Sequence, residues 1–206
     1  MDRQGYWEQI YATKSLVEVS WYRPHLEDSL AWIDEVAPQK DAVIIDIGGG
    51  TSTLVDDLYA RGYRNLSLLE ISPMAIAATK ARLGASATQI GWIEGDVTNV
   101  ELPEARFDVW HDRAVFHFLT QDEDRLSYRR QLLRSLKPGG SVILATFSSN
   151  GPERCSGLPV RRYSPQLIAQ QFEPVLVLEK SLTVAHKTPG GGIQEFTYCR
   201  LLHTGA

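Results

Sequence analysis

The chain has 206 residues, of which 43% are apolar and 22% are charged, and its formal net charge is −4. These values are typical of one globular domain, and they exclude a strongly basic surface that would attract nucleic acid or an anionic membrane. No segment resembles a membrane span or the apolar centre of a signal peptide, and Cys155 and Cys199 lack metal-site spacing. We therefore expect a cytoplasmic protein with reduced thiols and no bound metal.

Two helical patterns occupy residues 6–36 and predict a helical cap over one end of the fold. From residue 41 onward, apolar runs of strand length alternate with segments whose apolar residues recur at helical spacing. This alternation predicts a parallel sheet with helices on both faces. The predicted strands are residues 42–47, 66–71, 89–96, 107–115 and 141–148, and the helices between them are 51–63, 72–84 and 121–136.

The last quarter of the chain has a different pattern. The loop at residues 148–164 is long for a compact domain, which predicts a lid. A short helix at 164–172 then precedes two long strands at 174–186 and 193–203, joined by the turn "KTPGGG". Strands joined by such a turn form an antiparallel pair, so the sheet is expected to end in a hairpin.

A glycine-rich turn, "DIGGGTST" from Asp46 to Thr53, follows the first predicted strand. Ligands of open α/β sheets bind outside the carboxyl ends of the strands, which is where this turn lies. Gly48 and Gly50 allow a ligand to approach the backbone and permit positive φ. The turn therefore indicates a nucleotide, and by itself it fits NAD and S-adenosylmethionine (SAM) equally well.

Two residues, Thr53 and Asp96, separate these two nucleotides, whereas Glu70 fits both of them. The dinucleotide fingerprint has a third glycine beside the pyrophosphate, at the position that Thr53 occupies here. Glu70 ends the second strand, where a carboxylate accepts hydrogen bonds from a ribose diol. Asp96 ends the third strand, where it can accept a bond from an adenine amino group. A ribose and an adenine without a pyrophosphate fit SAM better than NAD.

Five segments then appear in order between residues 41 and 148: "VIIDIGGGTSTL", "LLEIS", "EGDV", "FDVWHDRAVFHFL" and "LKPGGSVILATF". This series resembles the successive motifs of class I SAM-dependent methyltransferases. The N-terminal "YWEQIYATK" and "VSWY" are similar to a subgroup that includes lysine methyltransferases acting on elongation factor and citrate synthase. That subgroup often has Asp-Lys in the fourth motif, where this chain has Asp112-Arg113.

The resemblance implies an α/β fold with a Rossmann-like, mostly parallel seven-stranded sheet, helices on both faces, an antiparallel last strand and an N-terminal helical cap. We expect a single domain over residues 1–206. Residues 1–40 form the cap, residues 41–148 the SAM-binding core, and residues 149–206 the substrate-side loop and terminal hairpin.

The resemblance also implies SAM as the methyl donor, with S-adenosylhomocysteine as the product. The glycine loop would wrap the amino acid end of SAM, Glu70 would hold the ribose hydroxyls, and Asp96 with the backbone of Val97 would meet the adenine. Asp46 would orient the loop or meet the ligand's ammonium, or alternatively only cap a helix. The implied cofactor-binding residues are Asp46, Gly48, Gly49, Gly50, Ser52, Glu70, Ile71, Asp96, Val97 and His111.

The segment "HDRAVFHF" after the fourth strand is the richest candidate for the acceptor side. His117 is the candidate general base and Asp112 a second catalytic candidate, while a packed core histidine is the alternative for His117. Arg113 would bind an acidic acceptor or pair with Asp112. The predicted substrate pocket consists of Trp21, Tyr22, Arg113, Phe116 and His186.

Methyl transfer from a sulfonium is a direct displacement that mainly requires alignment and exclusion of water. The predicted acceptor is a small molecule with a thiol, amine, hydroxyl or carboxylate. The alternatives are a protein lysine, an NAD-dependent oxidoreduction, or SAM binding without catalysis. The fourth motif lacks the Asn/Asp-Pro-Pro-aromatic run of adenine methylases, so nucleic acid and membrane are not expected partners.

Overall fold

The computed structural model describes residues 2–15 and 17–205. Its helices are α1 (Arg3–Thr13), α2 (Glu27–Val36), α3 (Leu54–Ala60), α4 (Pro73–Leu83), α5 (Asp122–Ser135) and α6 (Pro165–Phe172), with 3-10 turns at Gly84–Gln89 and Phe116–Phe118. Its strands are β1 (Val43–Ile47), β2 (Asn65–Glu70), β3 (Gly91–Glu94), β4 (Phe107–Arg113), β5 (Leu136–Phe147), β6 (Arg154–Cys155), β7 (Leu158–Pro159), β8 (Leu176–Lys187) and β9 (Ile193–His203).

Seven of the described strands form one sheet in the order β3-β2-β1-β4-β5-β9-β8. The pairs among β1 to β5 are all parallel, whereas β9 is antiparallel to both β5 and β8. The predicted fold class is confirmed, including the antiparallel last strand. Because the strand order reverses beside β1, the carboxyl ends of β1 and β4 border the switch point where such folds bind ligands.

Local sequence signals account for several element boundaries. Ser72 caps α4 as predicted, since its side chain accepts a hydrogen bond from the N–H of Ala75, and Pro73 occupies the first helical position. The third strand, β3, covers only Gly91–Glu94 and is therefore shorter than the strand predicted at residues 89–96. β5 begins earlier than predicted, because Leu136 pairs with Phe107 before a register irregularity. The predicted lid loop contains the two-stranded hairpin β6-β7.

The core lies on both faces of the sheet because successive strand residues point to opposite sides. In β1, Ile44 packs into a cluster with α2 and α3, and Ile45 packs into the opposite cluster with α5 and α6. Trp110, fully buried on the second face, is one of the largest core side chains. Each large apolar side chain buried in this way contributes roughly 1.5–3 kcal/mol. The sheet is therefore a stiff support for the groups at its carboxyl edge.

The predicted N-terminal cap is divided between two locations. Helix α2 packs on a face of the sheet, where Trp32 lies edge-to-face with Tyr198 of β9 at 6.1 Å between ring centroids. Helix α1 has no buried residue and lies across the carboxyl edge. Of the predicted cap, α1 and the described residues around Trp21 therefore lie at the edge, whereas α2 does not. Among residues 2–15 and 17–205, no helix combines the length and apolarity needed to cross a bilayer.

Candidate functional site

Two adjoining cavities open at the carboxyl edge of the sheet. The first has about 790 Å³ of space, counting the part that is open to solvent, and is bounded by the ends of β1, β2 and β4, the turn after β3, and helix α1. The second has about 470 Å³ counted in the same way and lies between the glycine loop and the segment before α2. Trp21, Gly48 and Arg113 line both cavities. The two volumes together are of the size that takes a nucleoside-sized ligand and a second small molecule.

The glycine loop is shaped so that no side chain fits where the backbone meets the first cavity. Gly48 has a φ of +61°, and a Cβ on it would lie 2.1 Å from Cγ2 of Val115. Gly50 has a φ of +54°, and a Cβ there would lie 2.4 Å from the hydroxyl of Tyr11. Both positions combine the left-handed conformation with crowding, so only glycine is compatible with this path of the loop.

Glu70, at the end of β2, places a buried carboxylate on the first cavity; its residue is only 4% exposed. One of its oxygens accepts a hydrogen bond from the N–H of Ser72 at 2.9 Å. Burial raises the pKa of Glu70 to about 7, opposed by backbone N–H groups that include those of Gly50 and Ser72, while the charge of Asp46 raises it further. A buried carboxylate at the edge of a cavity is suited to accept hydrogen bonds from a polar ligand.

Asp96, after β3, is already engaged on both oxygens. One oxygen accepts bonds from the N–H and hydroxyl of Thr98, at 2.8 and 2.7 Å. The other accepts a bond from the guanidinium of Arg3 in α1 at 3.0 Å. These partners lower the pKa of Asp96, although partial burial raises it. Arg3 also pairs with Asp124 of α5, so α1 is tied across the cavity mouth.

Asp46 belongs to the second cavity and not to a helix cap. Its Oδ1 lies 2.7 Å from Nδ1 of His111, and Nε2 of His111 lies 2.9 Å from the hydroxyl of Ser29. His111, predicted among the cofactor-binding residues, thus uses its side chain to hold Asp46. The Oδ2 of Asp46 is buried without a partner among the described residues. Ser52, on the same cavity, accepts a bond from the N–H of Leu54.

Three residues predicted on the acceptor side lie away from both cavities. Asp112 is fully buried and accepts bonds from the hydroxyl of Tyr128 at 2.7 Å and the N–H of Val115 at 2.9 Å. Phe116 packs in the core beside the ring of Tyr128. His117 is also fully buried, its Nδ1 accepts a bond from the N–H of Phe147, and burial lowers its pKa to about 3. These placements match structural roles, including the core-histidine alternative.

Of the remaining predicted pocket residues, three line the cavities and one supports a segment behind them. Trp21, Tyr22 and Arg113 line the cavities, as expected for a substrate pocket. His186 is buried behind them, where its Nε2 lies 2.8 Å from the carbonyl oxygen of Ser20. It supports the segment that carries Trp21 and does not line either cavity.

Several cavity residues are absent from the sequence predictions. Arg3, Trp7 and Tyr11 line the first cavity from α1, while Val115 and Phe118 line it from the turn after β4. Of these, Trp7 and Tyr11 could have been predicted to line one surface together, because residues four apart lie on the same face of a helix. The other three have no comparable signal in the sequence.

A substitution distinguishes the two interpretations of His117. Replacement by leucine is expected to leave the N–H of Phe147 unpaired and to destabilise the fold by about 1–3 kcal/mol. Replacement by asparagine, which keeps an acceptor, should cost less. Neither variant should change the pH dependence of turnover per folded molecule, because a buried histidine with a lowered pKa is neutral throughout the working range. Loss of a pH-dependent limb in both variants would establish His117 as the base.

Comparisons with known proteins agree with this geometry. A family profile described as "Methyltransferase domain" matches residues 44–140, which span β1 through the start of β5. The eEF1A lysine and N-terminal methyltransferase of Mus musculus is 28% identical over 213 residues, covering 94% of this chain. This chain spans only 30% of the length of that relative.

Two further proteins match most of the length of this chain. The methyltransferase srdJ of Neurospora crassa is 28% identical over 189 residues, which cover 84% of this chain and 79% of that protein. The solved 1,6-didemethyltoxoflavin-N1-methyltransferase of Burkholderia thailandensis, bound to 1,6-didemethyltoxoflavin and S-adenosylhomocysteine, has a TM-score of 0.65 at 19% identity, covering 97% of this chain and 88% of that one. The chain therefore resembles SAM-dependent methyltransferases in its fold and along most of its sequence, and these comparisons support SAM as its methyl donor.

Proposed function

We propose that SAM binds along the carboxyl edge with its ribose at Glu70, its adenine beside Asp96 and its amino acid end in the second cavity. The structural fit is favourable, because Gly48 brings backbone without a side chain to the wall of both cavities. The unpartnered Oδ2 of Asp46 offers an acceptor for an ammonium group. When bound, SAM supplies an electrophilic methyl group on a sulfonium. The residues proposed to hold it are Asp46, Gly48, Gly49, Gly50, Ser52, Glu70, Ile71, Asp96, Val97 and His111.

Asp96 has a specific requirement in this proposal. Its outer oxygen is bonded to Arg3, so an adenine amino group must share that oxygen or displace the guanidinium. The inner oxygen, held by Thr98, keeps the carboxylate oriented toward the cavity in either case. Arg3 therefore belongs to the adenine end of the proposed site, although it lies 93 residues from Asp96 in sequence.

The residues around the first cavity favour catalysis by alignment and exclusion of water. Burial raises the pKa of the Cys155 thiol to about 11 and the pKa of Tyr11 well above its ordinary value, so both groups stay protonated at neutral pH. Glu70 and Asp96 are assigned to the donor. The proposed reaction is thus a direct displacement in which the protein holds the acceptor against the methyl group and keeps water out.

We propose a small molecule as the acceptor, and the partial cover that helix α1 and the β6-β7 hairpin place over the first cavity is the observation that carries this choice. Trp7 packs edge-to-face against Phe118 at 5.1 Å and against Trp21 at 5.9 Å between ring centroids. The hydroxyl of Tyr6 donates to the carbonyl of Ser156 and joins α1 to the β6-β7 hairpin. Helix α1 and the hairpin thus meet over the cavity, which suits an enclosed acceptor better than a residue on a folded protein surface.

Methylation of a protein amino group is the second candidate. It is favoured by the similarity to the mouse eEF1A lysine and N-terminal methyltransferase, which extends over 94% of this chain. Because this chain spans less than a third of that protein, the comparison covers only part of what acts on eEF1A.

The two candidates are separated by transfer of labelled methyl from SAM. A cell extract is divided by ultrafiltration into metabolites and proteins, and each fraction is incubated with the enzyme and labelled SAM. We expect label in the metabolite fraction. The matched blank uses Gly48→Val protein, whose loop should not hold the donor. Label incorporated only into protein would establish the second candidate instead.

A further inference from the structure

Arg113, the last residue of β4, is a partly buried cation that lines both cavities. Among residues 2–15 and 17–205, no carboxylate oxygen lies within 4.0 Å of its guanidinium nitrogens. Its neighbour Asp112 is not its partner, since that carboxylate points into the core toward Tyr128. Of the two roles that the sequence leaves open for Arg113, pairing with Asp112 is therefore wrong.

Neutral groups hold the Arg113 guanidinium in one orientation. Nε donates to the hydroxyl of Tyr198 at 3.1 Å, and Nη1 donates to the carbonyl of Trp21 at 3.0 Å. The guanidinium plane lies over the ring of Phe196, 4.6 Å from its centroid. A guanidinium has five N–H donors, and Nη2 has no hydrogen-bond partner among the described residues. A shielded charge without an opposite charge is unfavourable unless a ligand supplies one.

The side chains that contact Arg113 place this cation on the acceptor side of the site. Tyr198 and Phe196 belong to β9, which is separated from β1 by β4 and β5. Glu70 and Asp96, which are proposed to hold the nucleoside, lie at the ends of β2 and β3 on the opposite side. A group bound by Arg113 thus faces the nucleoside across the cavity.

The wall beside Arg113 is largely apolar and aromatic. Trp7, Trp21 and Phe118 contribute rings to it, and Cys155 contributes a thiol that stays protonated. Such a wall binds the apolar body of a small molecule, while Arg113 offers a bidentate fork for an anionic group. A lysine ammonium brought to the same place would meet an uncompensated positive charge.

We propose that Arg113 binds a carboxylate or another small anionic group on the methyl acceptor, so that the enzyme methylates an acidic small molecule with an apolar body. This inference rests on the proposed function and narrows its substrate class. The chemistry that Arg113 recognises also exists in the amino acid carboxylate of the donor, and the test therefore measures donor binding separately.

The test divides the metabolite fraction of a cell extract on an anion exchanger before the reaction. The retained pool contains acids, and the unretained pool contains neutral and cationic compounds. We expect label from SAM to enter compounds of the retained pool. At limiting acceptor, Arg113→Met should reduce this transfer by about tenfold to a hundredfold, as for loss of a charged hydrogen bond. Arg113→Lys should fall between, because it keeps the charge and loses the fork.

Two controls accompany these variants. Arg130→Met removes one positive charge from α5 outside both cavities and should leave transfer unchanged. Tyr198→Phe removes the hydroxyl that orients Arg113 and should reduce transfer in the same direction by a smaller factor. Thermal unfolding will show whether Arg113→Met folds, and if it does not, Tyr198→Phe takes its place as the test of Arg113. Calorimetric titration with S-adenosylhomocysteine gives a readout independent of turnover, and Arg113→Met should retain its affinity.

The outcomes separate this inference from the proposed function. Label from the unretained pool alone overturns the acidic acceptor and leaves a small-molecule methyltransferase. A loss of S-adenosylhomocysteine affinity in Arg113→Met, as large as its loss of transfer, assigns the arginine to the donor carboxylate and also overturns the inference. Label in the protein fraction alone overturns the small-molecule function itself.

Discussion

Replacement of Gly48 by alanine is expected to destabilise the protein and to abolish donor binding. The left-handed backbone at this position costs a non-glycine residue about 1–3 kcal/mol. The added Cβ would also lie 2.1 Å from Cγ2 of Val115. Such overpacking lowers the stability by about a further 1–3 kcal/mol. Chemical denaturation gives the stability, and calorimetric titration with S-adenosylhomocysteine gives the affinity.

The chain contains a matched control for this prediction. Gly84 has a φ of +56°, close to that of Gly48, but a Cβ there would meet nothing within 4 Å. Gly84→Ala should therefore show a backbone cost without crowding, about 1–3 kcal/mol at its φ of 56° and ψ of −130°, with unchanged donor affinity. Adding Val115→Ala to Gly48→Ala should recover the part of the loss that arises from crowding. Equal losses for Gly48→Ala and Gly84→Ala would show that the contact with Val115 is unimportant.

Glu70→Gln is expected to weaken donor binding by about tenfold to a hundredfold without unfolding the protein. The amide keeps the shape of the side chain but has only one acceptor oxygen, so it cannot accept both bonds from a ribose diol. Titration with S-adenosylhomocysteine and with its 2′-deoxy analogue tests the assignment. The substitution should matter much less for the deoxy analogue, and an equal loss for both compounds would remove Glu70 from the ribose position.

The same variant has a defined pH signature. Burial raises the pKa of Glu70 from 4.5 to about 7 in the folded protein, with a contribution from Asp46, while Tyr11 faces it as a neutral group. A carboxyl with a raised folded pKa contributes stability that is present below about pH 4.5 and is lost as the pH rises through 7. Relative to Glu70→Gln, the wild-type melting temperature should therefore fall over this interval. A constant difference would contradict the raised pKa.

The sheet and the carboxylates at its carboxyl edge are predictable because their signals are local. Each strand is an apolar run, and Asp46, Glu70 and Asp96 stand at or just beyond strand ends that parallel pairing brings to one edge. Helix α4 is likewise marked by Ser72 and Pro73 at its start. All of these residues can be identified from the local sequence, without knowledge of contacts between distant segments of the chain.

The acceptor side was harder to predict because one backbone torsion decides which residues face the cavity. Ala114 has a φ of +76°, a left-handed conformation that is uncommon for alanine. After this reversal, Val115 and Phe118 line the cavity, whereas Phe116 and His117 enter the core. Nothing in "HDRAVFHF" indicates that turn. The contact of Arg3 with Asp96 spans 93 residues and is equally invisible in sequence.

Helix α1 has a consequence for how ligands are exchanged. None of its residues is fully buried, and it is held by polar contacts such as Arg3 to Asp96 and Tyr6 to Ser156 and by the packing of Trp7 on Trp21 and Phe118. Segments with few buried apolar contacts open at a small fraction of the global unfolding free energy. Amide hydrogens of residues 3–13 should therefore exchange with solvent well before those of β1 and β4. The enzyme can admit and release its ligands by detaching one helix while the sheet stays fully folded.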